Sequence, residues 1–185
     1  MTSQRADARR NRARILAAAE QVLTEKGTTA PTEEIARAAG VGIGTLFRHF
    51  PTKEELVQAV FEDRLRRLAD EADRLAASPD PGAALAALLR QAVEQGEVKN
   101  ALAGLLTEAG IDLRATLGEV HTRLTAALGT LLTRAQASGT VRQDLQVPDL
   151  IGLLAGTSKA IEYATGPAAR TRILQVVLDG LRPPA

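Results

Sequence analysis

The stretch from Thr32 to Phe50 reads TEEIARAAGVGIGTLFRHF, and its spacing determines the fold prediction for the first third of the chain. Apolar residues recur at helical intervals, at Ile35, Ala39, Val41 and Leu46. This pattern predicts two short helices, one from Thr32 to Gly40 and one from about Ile43 to His49. Ala36 is small where the two helices would cross, and Gly40 supplies the positive φ that reverses the chain between them.

Two interpretations of this spacing remain open. In a helix-turn-helix, the second short helix enters the major groove of DNA. In a plain αα-hairpin, the same residues serve only packing. The charge distribution is asymmetric, because residues 1–53 carry nine basic and five acidic side chains, whereas the rest carries a net charge of −3. A basic end is typical of a protein that meets a polyanion, although a solvated terminus has the same composition.

A longer run, IARAAGVGIGTLFRHFPTKEELVQAV, resembles the DNA-binding domain of the TetR/AcrR family of bacterial transcriptional repressors. The resemblance covers residues 9–57, and its glycines, its aromatic residues, His49, Lys53 and Leu56 keep the family spacing. It implies an all-α protein with an N-terminal three-helix DNA-binding domain at 1–53, whose motif lies at 31–50. A long helix would join this domain to a C-terminal helical bundle at 54–185 that binds an effector and dimerises.

The resemblance also implies a set of DNA-contacting residues: Thr32, Gly42, Ile43, Gly44, Thr45, Phe47, Arg48, His49 and Lys53. Arg48 is suited to guanine or phosphate and Ile43 to a thymine methyl group, while the glycines let the backbone approach closely. Two residues depart from the family pattern. Phe47 replaces the usual Tyr and lacks its hydroxyl, and Gly42 replaces the usual Ser as helix cap. The arginines at 5, 9, 10, 12 and 14 form either a DNA-contacting arm or a solvated tail.

No segment has the alternating pattern of a strand, and helices are predicted almost throughout. Their approximate ranges are 9–26, 32–40, 43–49, 53–77, 83–95, 99–109, 113–137, 149–164 and 168–181. Helix-end signals accompany them: Thr32 and Asp112 as N-caps, a capping box of Thr52 with Glu55, and Gly27 and Gly139 as C-terminal stops.

The last two predicted helices carry apolar stripes that suit either a dimer interface or an intramolecular core. The candidate interface residues are Leu150, Leu153, Leu154, Thr157, Ile161, Leu174, Val177 and Leu178. The family resemblance also implies a pocket for a small-molecule effector, and its candidate lining is Phe61, Glu108, Leu117, His121 and Tyr163. His121 shares a predicted helix face with Leu117 and Leu124, so we expect it to point inward, as a core histidine or a ligand contact.

Several functional classes receive no support from the sequence. The chain has no cysteine, which excludes a thiolate zinc site, an iron–sulfur cluster and a cysteine nucleophile. We find no acid–base pair and no metal-ligand cluster, so we expect neither an enzyme nor a cofactor. No apolar run reaches the ~18 residues of a membrane span. The N-terminus lacks the apolar region of a signal peptide, and we expect a cytoplasmic protein.

The main functional prediction is therefore a homodimeric repressor that a small molecule releases from a palindromic operator. One alternative keeps the DNA-binding domain but has no small-molecule effector. Another is a helical enzyme or adaptor whose hairpin only imitates the motif.

Overall fold

The structure is a computed structural model that describes residues 2–113 and 117–184, without the side chains of residues 2–5 and 97. Every regular element in this part is an α-helix, which confirms the predicted fold class. The helices are α1 Thr2–Lys26, α2 Thr32–Ala38, α3 Ile43–His49, α4 Lys53–Ala76, α5 Pro81–Glu94, α6 Gly96–Glu108, α7 Gly118–Ala137, α8 Val147–Glu162 and α9 Pro167–Gly180.

The chain divides into two compact units. The first unit takes in Met1–Asp63 and Ala101–Thr116, and the second takes in Arg64–Asn100 and Leu117–Ala185. Helices α4 and α6 therefore contribute residues to both units. This division differs from the boundary at residues 53 and 54 that the sequence suggested, since the first turns of α4 and the end of α6 belong with the N-terminal helices. The functional division at 53 and 54 remains a prediction.

The core of the first unit forms where α1 packs against α2 and α2 packs against α3. Its most deeply buried side chains are Ile15, Ala19, Ile35, Leu46, Leu56, Val57, Leu102 and Leu106. Leu46 is the one buried residue of α3, so this short helix is anchored through a single side chain. Full burial of a leucine contributes about 1.5–3 kcal/mol, which makes Leu46 the main hydrophobic attachment of α3.

The core of the second unit lies between α5, α7, α8 and α9, with residues of α4 at its side. Leucines supply most of it, including Leu85, Leu88, Leu128, Leu131 and Leu150. Arg123 of α7 forms ion pairs with Asp70 and Asp73 of α4, and the distance to the Asp70 carboxylate is 2.7 Å. These contacts raise the pKa of Arg123 and link α7 to α4 at the surface.

Several helix ends follow their sequence signals. Thr52 accepts a hydrogen bond from the backbone N–H of Glu55 at 3.1 Å, which is one of the two hydrogen bonds of the predicted capping box. Asp80 caps α5 by accepting from the N–H of Ala83 at 2.9 Å, which places the start of α5 slightly before the predicted position. Gly27 has a φ of +77° directly after α1, which confirms the predicted C-terminal stop.

One predicted helix start and one predicted cap are wrong. Helix α1 begins at Thr2 rather than near Arg9, because its first turns contain no glycine or proline and Arg10 pairs with Asp7 one turn earlier. Thr32 is the first residue of α2 rather than its cap. Pro31 occupies the N-cap position, and the cap has no side-chain hydrogen bond.

In the helix predicted at 113–137, Leu113 is helical, and positions 114–116 lie outside the described residues. The described helix α7 begins at Gly118. His121, in its first turn, is exposed, so the expectation that it points inward is wrong. Leu124 is the first residue of α7 that packs against the core cluster of the second unit.

Candidate nucleic-acid interface

The segment from α2 to α3 has the geometry that its sequence predicts. Gly40 has a φ of +63°, a conformation that favours glycine, and it directs the chain from α2 towards α3. The N–H of Val41 donates to the carbonyl of Ala36 at 3.0 Å and closes the turn. Ala36 is buried, and a larger residue there would separate the helices. The helix pair therefore presents α3 in one defined orientation.

One face of α3 is open to solvent and carries the predicted DNA-contacting residues. Gly42 caps the helix, and Gly42, Gly44 and Arg48 are exposed. Ile43 is 38% exposed and Phe47 is 40% exposed, although both are large and apolar. A Cβ atom added at Gly42 or Gly44 would meet nothing within 4 Å, so the chain itself does not require glycine there for space.

The remaining predicted DNA contacts are less exposed. Thr45 and His49 on α3, and Thr32 at the start of α2, are half-buried. Lys53 is also half-buried, and its ammonium group donates a hydrogen bond to the carbonyl of Ala30 at 2.8 Å. One of its three N–H donors is therefore used inside the first unit, and the other two remain available for a phosphate.

Three arginines of the predicted N-terminal arm have internal partners, and the pair of Arg10 with Asp7 is described above. Arg14 donates from Nη2 to the carbonyl of Ala39 at 2.6 Å and to that of Gly40 at 3.2 Å. The guanidinium of Arg12 lies 4.9 Å from the ring centre of Phe50, a cation–π distance. Arg5 falls outside the described side chains. The sequence pattern contained no signal for the contacts of Arg12 and Arg14, since they join residues far apart along the chain.

Helices α8 and α9 of the second unit line an open apolar groove of about 690 Å³. Small residues repeat every fourth position along its α8 wall, at Gly152, Gly156 and Ala160, and Leu153 beside them is 39% exposed. Added Cβ atoms at Gly152 and Gly156 would meet nothing within 4 Å. The groove therefore offers backbone that a second helix can approach closely.

The predicted dimer-interface residues separate into two groups. Five of them are buried within the second unit itself: Leu150, Thr157, Ile161, Leu174 and Leu178. For these five, the alternative of an intramolecular core describes the observed packing. Leu153, Leu154 and Val177 retain exposed surface. A partner would contact mainly this second group and the small residues beside it.

The predicted effector-pocket residues lie in both units. In the first unit, Phe61 is buried and Glu108 is exposed. In the second unit, Leu117 is buried, His121 is exposed and Tyr163 is 78% exposed. The outward positions of Glu108, His121 and Tyr163 differ from the expected lining of an enclosed pocket.

A cavity between α5, α8 and α9 holds only about 10 Å³. This is about the volume of a single water molecule and too small for an organic effector. A pocket that accepts an effector at that position would require these helices to move apart.

Titratable groups of the second unit have partners or burial that explain their pKa shifts. Lys159 and Asn100 donate hydrogen bonds to Glu162 and hold the pKa of that carboxyl below its usual value. Burial lowers the pKa of Lys99.

Within residues 2–113 and 117–184, no group of three or more His, Asp or Glu side chains is arranged to hold a metal ion. No helix in the same ranges is long and apolar enough to cross a membrane.

Models of known protein families match both the N-terminal and the C-terminal part of the chain. Residues 15–60 match the model for bacterial regulatory proteins of the tetR family. Residues 80–183, more than half of the chain, match the model described as transcriptional regulator SbtR-like, C-terminal domain. Among solved structures, the chain is similar to the TetR transcription regulatory protein from Mycobacterium vanbaalenii, with 41% identity and a TM-score of 0.77. That match covers 97% of this chain and 99% of the other.

Two relatives that are named transcriptional regulators match different lengths of this chain. UidR, an HTH-type transcriptional regulator of Escherichia coli K12, is 37% identical over 71 residues, which are 37% of this chain and 36% of UidR. KstR2, an HTH-type transcriptional repressor of Rhodococcus jostii, is 27% identical over 187 residues, covering 94% of this chain and 92% of KstR2. The chain thus spans well under half of UidR and nearly all of KstR2.

Proposed function

This chain belongs to the TetR family of bacterial regulatory proteins, and on that premise we propose that it is a homodimeric repressor released from a palindromic operator by a small molecule. Its activity is binding rather than catalysis. The operator is part of the bacterial chromosome, so the protein acts in the cytoplasm. KstR2, a relative along almost its whole length, is named a repressor, which supports the direction of regulation proposed here.

The exposed face of α3 is the observation that carries this proposal. A helix that lies in the major groove contacts base edges with its N-terminal residues, and here those residues are solvent-exposed and followed by Arg48. Ile43 offers an apolar surface of the kind that contacts a thymine methyl group. Gly42 and Gly44 remove side chains where the backbone meets the groove.

Residues around α3 would hold the DNA backbone. Phosphate contacts orient a protein on the duplex without reading its sequence. We assign this role to Phe47, His49, Thr32 and Lys53. Phe47 contributes van der Waals contact with sugars only, since it has no hydroxyl. Lys53 contributes the N–H groups that Ala30 leaves unused.

Dimerisation through the α8–α9 groove accounts for its exposed glycines. Each glycine in a helix interior costs about 1 kcal/mol relative to alanine, and Gly152 and Gly156 receive no contact from their own chain that would offset this cost. A second copy packed along α8 supplies that contact. Two symmetric α3 helices about one DNA turn apart, roughly 34 Å, would then read an inverted repeat.

Effector release is a shift between two conformations of the dimer. A small molecule lowers DNA affinity only to the extent that it binds the DNA-incompetent form more tightly. The alternative, a regulator with the same DNA-binding domain and no small-molecule effector, predicts no saturable thermal stabilisation by any member of a metabolite panel.

Selection of duplexes from a random library with purified protein, followed by hydroxyl-radical footprinting, tests the DNA-binding proposal. We expect enrichment of an inverted repeat and two protected half-sites on one face of the duplex. The matched control is Arg172→Gln, which removes an exposed charge from α9 and should leave the footprint intact. Failure of the wild-type protein to enrich any inverted repeat would refute the proposal and favour the enzyme or adaptor alternative.

A further inference from the structure

Arg14 joins α1 to the turn between α2 and α3. It precedes Ile15, which is fully buried and fixes this part of α1 against the core of the first unit. Its Nη2 atom donates to the carbonyls of Ala39 and Gly40, at 2.6 Å and 3.2 Å. These carbonyls lie 25 and 26 residues further along the chain. Arg14 is therefore a long-range connection between the first helix and the turn.

The position of the guanidinium satisfies a specific need of the turn. Carbonyls at the end of a helix have no partner within it and carry the negative end of the helix dipole. Helix α2 ends at Ala38, with Ala39 as its C-cap, so the carbonyls that Arg14 contacts belong to this end and to the next residue. A cation at this position compensates both the dipole and the missing donors.

We propose that Arg14 is a positioning residue for operator recognition, which holds the α2–α3 turn and thereby the N-terminal end of α3, and that it does not contact a phosphate. The proposal rests on the DNA-binding function proposed above. Helix α3 begins at Ile43, three residues after Gly40, so movement of the turn carries the base-contacting residues with it. Lys53 makes a comparable contact at the other end of α2, through Ala30.

Hydrogen exchange of the full chain tests the contact without DNA. The amides of Gly40 and Val41 donate within the turn, each at 3.0 Å, and report on its opening. In Arg14→Gln we expect both amides to exchange about tenfold faster, in line with the loss of a charge-assisted hydrogen bond. Arg172→Gln, which removes the same charge from α9, should leave these amides unchanged. Unaltered exchange in Arg14→Gln would overturn the proposal.

DNA binding then separates positioning from phosphate contact. The probes are the duplex that the wild-type protein selects and an unrelated duplex of equal length, each titrated at several salt concentrations. For Arg14→Gln we expect about tenfold weaker binding to the selected duplex, a change below about twofold on the unrelated one, and an unchanged salt slope. Arg14→Lys keeps the positive charge, but the lysine side chain is shorter and ends in one ammonium group instead of a guanidinium. This variant should therefore also bind the selected duplex more weakly.

Two outcomes of the DNA experiment contradict the proposal. A salt slope reduced by about one in Arg14→Gln, with full binding in Arg14→Lys, would identify a phosphate contact. Faster exchange of the turn with unchanged affinity for the selected duplex would show that the turn has no role in recognition. If the wild-type protein selects no duplex, the proposed function fails and the positioning role fails with it, while the exchange data still report whether Arg14 holds the turn.

Discussion

Replacing both Gly152 and Gly156 by alanine should change protomer stability and dimer stability in opposite directions. Both residues lie inside α8, are exposed, and have free space for a Cβ atom. Each replacement improves intrinsic helix stability by about 0.8–1.0 kcal/mol, so the double variant should gain about 2 kcal/mol in the unfolding of an isolated protomer. Nothing in the second unit opposes this gain.

The same methyl groups should weaken the dimer. If the helix of a second copy packs directly on the backbone of Gly152 and Gly156, two added methyl groups force it away and remove close contacts along the groove. We expect the dimer dissociation constant to rise at least about tenfold, which corresponds to ~1.4 kcal/mol. Analytical ultracentrifugation over a range of protein concentrations measures this constant. Urea unfolding at low and high concentration separates protomer stability from the contribution of association.

Gly104→Ala is the matched control for this experiment. Gly104 lies in the interior of α6, is exposed, and has the same free space for a Cβ atom. It should gain about 1 kcal/mol of stability and leave dimerisation unchanged. A dimer dissociation constant within about twofold of wild type in the double variant, together with the expected gain in protomer stability, would show that no partner helix approaches α8 at these glycines.

Three further predictions concern single side chains. Arg48→Ala should weaken binding to the selected operator by about 1–3 kcal/mol in a gel-shift titration, and an equal loss on random DNA would identify a phosphate contact instead of base recognition. Lys53→Ala should weaken binding to every duplex and reduce the salt slope by about one, whereas an unchanged slope would mean that Lys53 acts only through the Ala30 carbonyl. Lys99→Met should raise Tm near neutral pH. Burial lowers the pKa of Lys99 in the folded state, so keeping this lysine charged lowers the free energy of unfolding. This destabilisation decreases once the pH rises through the lowered pKa. The difference in Tm should shrink as pH approaches ~10.4, the ordinary pKa of lysine, and a Tm difference that does not vary with pH would contradict this explanation.

Sequence reasoning was most successful where a feature depends on neighbouring residues. The positive φ of Gly40, the cap by Thr52 and the burial of Leu46 all follow from patterns within a few positions, and all are confirmed. The exposure of Ile43 was also implied, because it falls outside the apolar series that packs α3. Local patterns therefore predicted the helix pair and the face of α3 that carries the candidate DNA contacts.

Helix periodicity did not predict which residues of an apolar face are covered by other helices. His121 continues the apolar face of α7 in the sequence, yet it is exposed, whereas Leu117 four residues earlier is buried. Periodicity identifies a face of a helix but not how far a neighbouring helix covers it. The apolar stripe of α8 likewise suited both a core and an interface, and only packing assigned Leu150 to the core and Leu153 to the surface.

By itself, the sequence determined an all-α chain, the turn at Gly40, and a short third helix with glycines at its start, because helix periodicity, capping and glycine dihedrals are encoded over short distances along the chain. Tertiary structure decided the partners of its cations. Arg14 and Lys53 each contact a carbonyl more than twenty positions away along the chain, and these contacts depend on how α1, α2 and α4 pack. The hydrophobic effect that drives this packing is non-directional, so the apolar pattern of the sequence does not specify which cation meets which carbonyl.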